Sequence, residues 1–374
     1  MKGSAIEISK NNSPWAIKAN LRGVAIPKTK NIKFIITLDA DTDLVLNSAF
    51  ELVGAMAHIL NKPELDVNKN IVKKGHALLQ PRVGVNLNDS NKNVFTKIFA
   101  GSGGIDNYTN AISDFYQDNF GEGIFTGKGI YELNTFYNVM KNAIPEYTVL
   151  SHDLLEGSYL RCGLATDVLL MDGYPSKFMS FTTRQNRWIR GDWQICNWLC
   201  KNIRNEKNER IRNPKSPLNL LSKYKIFDNL RRSLISLFEL ILLAIGIYTH
   251  KISIVLIAIL AICITIILEV VNKIIARKDG EKFKKTFTPI VTGGKGALIK
   301  FVLNIGFLPT KTYVEIKAII QAIYRKYVSK KKLLEWTTAE EAEVNKDNDL
   351  DSYVGYMFVN LILAVAAFKS KVWP

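Results

Sequence analysis

The spacing of hydrophobic and polar positions changes character along the chain. Up to about Pro214, short apolar runs alternate with polar loops; beyond Pro217, long apolar runs alternate with clusters of lysine and arginine. In the first part, Phe34-Ile35-Ile36-Thr37-Leu38 is an apolar run followed by Asp39, Asp41 and Asp43, which predicts a short buried strand with carboxylates at its carboxyl end. Ala49 to Leu60 has apolar residues at helical spacing and predicts a helix packed on a sheet, and Ala77 to Val83 reads as a strand end. In the second part, the runs 233–248, 252–271 and 353–368 are expected spans: 252–271 has the length that spans a bilayer, 233–248 is shorter and contains Glu239, and a soluble helical hairpin is the alternative for these first two. Only Thr249-His250-Lys251 separates the first two, so a helical hairpin is expected. Tyr313, Ile316, Ile319, Ile320, Ile323 and Tyr327 fall on one helical face with Lys311, Lys317 and Arg325 elsewhere, which predicts a helix near 311–328 lying in a membrane interface.

The chain is therefore expected to hold an α/β domain over 1–214 and a membrane helical region over 215–374. Its 374 residues and 47% hydrophobic content can build a sizeable core. The formal charge of +16 admits nucleic acid or an anionic membrane as partner. Because the excess sits beside the apolar runs, at Arg231-Arg232, Lys273 to Lys285 and Arg325 to Lys332, the bilayer is the expected partner and nucleic acid is not. The same charges place the amino-terminal domain on the cytosolic side, with a multi-pass location in the cytoplasmic (inner) membrane. The four cysteines show no zinc-ligand pairing and read as reduced thiols. Residues 1 to 5 lack the apolar core of a secretory signal.

The candidate chemistry starts at Asp39 and Asp41. In an open α/β sheet, ligands bind at the carboxyl ends of strands, so two acids at i, i+2 there can hold a divalent cation against a diphosphate, as a nucleotide-sugar transferase requires. A solvated turn is the bland alternative. An EF-hand is excluded by Leu44 at the glycine position and Phe50 at the glutamate position. The glycine-aromatic stretches Phe99 to Gly104 and Phe120 to Gly129 read as a substrate loop or as plain turns, and Lys128 followed by Gly129 is not a P-loop. Asp153 sits where a general base could stand or a helix could be capped. The run Arg184 to Gln194 joins arginine forks suited to diphosphate oxygens with indole faces suited to sugar rings, or else is a basic amphipathic helix.

In order, Asp-Ala-Asp, a glycine-aromatic loop, an acid pair, Arg-x-x-Arg-Trp and apolar helices resemble the processive, inverting GT-A glycosyltransferases that make β-glycans at membranes. Thr37 to Thr42, Tyr116 to Gly123, Phe125 to Tyr131, Ser151 to Gly157, Arg187 to Gln194 and Leu333 to Thr338 are similar to the transferase domain of cyclic β-1,2-glucan synthases. The resemblance implies a GT-A-like, truncated Rossmann-like fold, with Asp39 and Asp41 holding Mg2+ (or Mn2+) on the diphosphate of a UDP-glucose donor. It implies that Asp153 is the base acting on the 2-hydroxyl of a β-1,2-glucan acceptor, and that Arg184, Arg187 and Trp188 grip diphosphate and acceptor sugar. Phe125, Gly127 and Lys128 would lie near the acceptor. It also implies further transferase strands before Asp39, and further spans with a phosphorylase-like domain after the last helix, so that this chain is one piece of a larger synthase. Another processive β-glycan synthase, a lipid-linked sugar transferase or a catalytically silent fragment are the alternative readings.

Overall fold

The computed structural model describes residues 32–100, 114–141, 143–200, 203, 216–275, 294–337, 343 and 350–369. The domain boundary expected at Pro214, residues 101–104 of the first glycine stretch and residues 276–285 of the basic cluster lie outside these. The chain divides into two compact units. One comprises Met1–Gly84, Asp106–Ile144 and Asp153–Asp172, and the other Val85–Ile105, Pro145–His152 and Gly173–Pro374.

The first unit is built on a five-stranded sheet. Its strands are β1 (Phe34–Thr37), β2 (Thr42–Leu44), β5 (Leu78–Val85), β6 (Gly129–Glu132) and β7 (Gly163–Asp172), in the order β1-β6-β5-β7-β2. A separate hairpin pairs β3 (Glu64–Asp66) with β4 (Ile71–Lys74). Both β1 and β5 pair antiparallel with β6, so they run parallel to each other. Gly163, at the start of β7, lies against Leu79, and Gly84, near the end of β5, lies against Leu169 to Met171; β7 therefore runs the same way. Three strands thus point their carboxyl ends to one edge, which fits the Rossmann-like expectation of a mixed α/β domain.

The sheet must curl. β1 and β2 occupy opposite edges, yet only Leu38 to Asp41 separates them, and the amide of Thr42 donates to the carbonyl of Asp39 at 3.1 Å, closing a tight turn. Four inter-strand gaps of ~4.8 Å would exceed the reach of so few residues in a flat sheet. The curl is accommodated by β7, whose last three residues pair with β2.

Helix Ser48–Ala57 packs Leu52 and Met56 on Leu79, Ile130 and Val168, with Phe34 and Ile36 beside them. It stops three residues before the expected end. His58 turns extended, the Asn61 side chain takes the Ala55 carbonyl at 2.7 Å, and a short 3-10 turn covers Ile59–Asn61. Pro63 follows, which disfavours helical backbone at Lys62.

In the second unit, helix Phe178–Gln194 packs against helix Gly294–Tyr324 through Ile189, Ala318 and Ile319, flanked by Trp193 and Leu234. Helices Ile235–Tyr248 and Ile252–Ile275 form the expected hairpin, with His250 left-handed at the turn and the Val255 backbone tight against Gly246.

Among the described residues, no helix is long and apolar enough to cross a membrane. Ile235–Tyr248 has 14 residues, and at ~1.5 Å per residue falls short of the ~30 Å hydrocarbon core. Side chains of Ile252–Ile275 are described without a break only from 252 to 264. The third expected span is two helices, Leu350–Tyr356 and Phe358–Lys369. The stripe expected to lie in an interface is divided. Ile319 is buried in the contact with Ile189, while Tyr313, Ile320, Ile323 and Tyr327 remain exposed. Helical periodicity marks an apolar face but cannot say which part of it another helix will cover.

Candidate active site

The acidic turn lies at the carboxyl edge of the sheet in the first unit. Asp39 and Asp41 are both exposed. The Lys128 ammonium reaches Asp39 Oδ2 at 3.1 Å and forms a shorter ion pair with Asp172, the last residue of β7. Lys128 and Asp172 are buried, with side-chain exposures of 6% and 2%, whereas Asp39 is 51% exposed. The other Asp172 oxygen accepts from Thr42 Oγ1 at 2.5 Å. A buried ammonium thus neutralises a buried carboxylate while touching an exposed one, the arrangement in which burial of charge is tolerated.

Lys128 is delivered by the stretch Phe125 to Gly129. Phe125 is buried, its ring edge-on to Tyr131 at 5.6 Å, and its side chain packs the core. Buried Gln80 accepts from the Thr126 amide at 3.0 Å and from the Thr126 hydroxyl at 3.1 Å, fixing the loop. Gly127 has φ +96°, and a side chain there would start 3.4 Å from the Asp153 carboxylate. That φ strains any side-chain-bearing residue and so favours glycine. At Gly129, a Cβ would stand 2.2 Å from the Leu79 carbonyl, so the β5–β6 pairing also requires glycine.

Asp153 opens helix Asp153–Leu160. One turn on, buried Glu156 accepts from the Tyr131 hydroxyl at 2.7 Å. Burial, reinforced by Glu156, pushes the Tyr131 phenol well above its ordinary range, so it stays protonated and donates. In the first unit, Lys128 therefore contacts Asp39 and Asp172, and the preceding residue, Gly127, lies next to Asp153.

Arg184, Arg187 and Trp188 belong to the second unit, on helix Phe178–Gln194. The Arg184 guanidinium stacks on the Trp188 ring at 4.8 Å, and Arg187 stacks on Trp336 at 4.7 Å. The segment carrying Trp336 is docked along this helix. Arg190 Nη2 donates to the Glu335 carbonyl at 2.7 Å, and Gln194 Nε2 donates to the Leu333 carbonyl at 3.0 Å. The Glu335 carboxylate is held by Arg325 at 2.7 Å and Lys332 at 3.2 Å. Burial, and then the positive charge of Arg325, lower the proton affinity of Arg190. Tyr174 is pushed up by burial and drawn part of the way back by Arg184.

Among the described residues, no group of three or more His, Cys, Asp or Glu side chains gathers around a point that a metal ion could occupy. Asp39 and Asp41 supply two exposed carboxylates. That donor set fits a hard cation that completes its shell with water and the oxygens of a bound diphosphate, as Mg2+ characteristically does.

Asp172 and Gln80 were not singled out from the sequence, whereas Thr42, Tyr131 and Glu156 lie inside the motifs that carry the family resemblance, Glu156 as the partner of Asp153 in the acid pair. Asp172 carries a readable signal: Val168-Leu169-Leu170-Met171-Asp172 repeats the apolar-run-then-acid pattern of Phe34 to Asp39. Gln80 has no pattern that marks it.

Comparison with known proteins bears out the synthase resemblance. No family model matches the chain. It is 34% identical over 343 residues to the cyclic β-(1,2)-glucan synthase NdvB of Rhizobium meliloti (strain 1021), a match that covers 90% of this chain. The same match covers 12% of that synthase, so the chain is related to one segment of a much longer protein.

Proposed function

We propose that this chain is the glycosyltransferase part of a cyclic β-1,2-glucan synthase, transferring glucose from UDP-glucose to a growing β-1,2-glucan with inversion at the anomeric carbon. The observation that carries the reading is the contact of Lys128 with Asp39 and Asp172, with Asp153 next to Gly127, in a chain related to a β-(1,2)-glucan synthase.

In this reading Asp39 and Asp41 hold Mg2+, or Mn2+, which when bound offsets charge on the departing diphosphate. Asp153 takes the proton from the acceptor 2-hydroxyl as its oxygen attacks the anomeric carbon, and the bond to the diphosphate breaks on the opposite face. Gly127 lets the backbone approach the Asp153 carboxylate, and the Lys128 ammonium adds fixed positive charge near the acidic turn. Arg184, Arg187 and Trp188 bind diphosphate oxygens and the acceptor ring. The enzyme works at the cytosolic face of a membrane. Phe238, Ile241 and Ile245 of one hairpin helix and Leu256, Ile257, Leu260 and Ile264 of the other are exposed, and exposed apolar side chains grouped on adjacent helices suit contact with lipid.

Asp153→Asn in the native enzyme tests the base. The change is nearly isosteric and removes proton acceptance, so glucan elongation from UDP-glucose should fall by about 10²–10⁴-fold, with the fold intact by circular dichroism. Elongation at the normal rate would refute the assignment.

A further inference from the structure

The buried Lys128–Asp172 pair does more than neutralise itself. Its contacts outside the pair reach the two ends of one turn: Lys128 Nζ holds the Asp39 carboxylate at 3.1 Å, and Asp172 accepts the Thr42 hydroxyl at 2.5 Å. The turn is closed internally by the Thr42 amide donating to the Asp39 carbonyl at 3.1 Å. Asp39, Lys128, Asp172 and Thr42 are therefore linked in a ring that closes over the Ala40-Asp41 turn, with Thr42 on β2, Asp172 at the end of β7 and Lys128 next to β6. Asp39 and Asp41 are themselves exposed, so the placement of their carboxylates depends on what anchors the turn from below. The anchor is rigid on its own side. Asp172 terminates β7, whose last residues pair with β2, and Lys128 adjoins β6, paired with β5 and β1. The residue before Lys128 is Gly127, at which a Cβ would stand in van der Waals contact with the Asp153 carboxylate, at 3.4 Å.

We infer that Lys128 and Asp172 are positioning residues: a buried ionic clamp that fixes the acidic turn at both ends and sets it in register with Asp153 through Gly127-Lys128. The inference rests on the proposed cation role of the turn. A plain structural ion pair would stabilise the sheet edge and leave the carboxylates indifferent to its removal. A clamp makes their geometry depend on it, as groups behind metal ligands commonly do.

Two variants of the native enzyme test the clamp. Thr42→Val releases one end of the turn by deleting one hydroxyl. Lys128→Met combined with Asp172→Asn removes both buried charges together, so neither is left stranded. The first readout is amide exchange over residues 39–43, and the second is Mn2+ binding in the presence of UDP, followed by water-proton relaxation. The clamp predicts exchange in the turn up to about tenfold faster in both variants. It also predicts Mn2+ binding weakened by about 10–100-fold in the double variant, with near-native circular dichroism. If the double variant fails to fold, Thr42→Val carries the test. Unchanged exchange in the turn overturns the clamp, and so does Mn2+ binding that is unchanged or tighter in a folded double variant while Asp41→Asn weakens it. Faster exchange together with Mn2+ binding indifferent to Asp41→Asn leaves the clamp standing and sinks the cation reading instead.

Discussion

Tyr131 shows at the scale of a single residue how the site is held. Its hydroxyl donates to Glu156 in a region closed to water, and both groups are buried. Tyr131→Phe keeps the ring packing on Phe125 and Phe136 but strands the Glu156 oxygen, at a cost of about 1–3 kcal/mol. The pH dependence has a definite sign. The folded phenol is shifted above its unfolded value of 10.0, so the folded state holds its proton more tightly. The stabilisation is fully present below pH 10 and is lost as pH rises above it. Urea unfolding at pH 7 and at pH 10.5 should show a steeper alkaline loss for the wild type than for Tyr131→Phe, and parallel losses would refute the buried pairing. At this scale Asp39, Asp41, Asp153, Gly127 and Lys128 could be read from the sequence because each stands in a short local pattern. Asp172 meets Lys128 from 44 residues away, and Glu156 meets Tyr131 from 25 residues away. Such pairings arise only when strands and helices are brought together, and no local spacing encodes them.

At the scale of elements, helix Phe178–Gln194 is the support on which the Leu333–Trp336 segment is laid. Its three attachments differ in kind. Gln194 is 1% exposed; it accepts from the Leu150 amide at 2.6 Å and donates to the Leu333 carbonyl. Trp336 is 47% exposed and meets Arg187 through a cation-π contact. Gln194→Ala should therefore cost about 2 kcal/mol or more by leaving buried backbone groups unpaired, whereas Trp336→Ala should cost about 0.5–1 kcal/mol. Denaturant unfolding of the two variants checks the order, and a larger loss from Trp336→Ala would mean the stack, not the buried amide, holds the segment. The helix itself was legible from its mixture of arginine and tryptophan. Its partner segment was legible only through the family resemblance, since Leu333 to Thr337 has neither helical nor strand periodicity and docks through backbone carbonyls that any residue could supply.

At the scale of the whole molecule, the apolar runs on either side of Thr249-His250-Lys251 predict a helical hairpin, and helices Ile235–Tyr248 and Ile252–Ile275 form it. Its relation to a bilayer does not follow from helix lengths, because Ile235–Tyr248 is too short to span one by itself. The stronger argument is the exposed surface. Phe238 is 62% exposed, Ile252 73% and Leu256 58%, on two helices whose remaining faces pack on each other and on helix Gly294–Tyr324. Leaving several such side chains in water costs roughly 1.5–3 kcal/mol each relative to burial, a penalty that lipid removes without any further protein contact. Surface attraction alone, through the formal charge of +16, would be screened beyond about 8 Å at physiological salt. The two modes of attachment therefore respond differently to washing. Membranes carrying the native enzyme, treated with 1 M salt, where the screening length falls to about 3 Å, and then with alkaline carbonate, should retain the chain in the pellet and release it only to detergent. Release by salt would reduce the membrane reading to charge attraction, and release by carbonate would show that the apolar hairpin is covered by protein rather than by lipid.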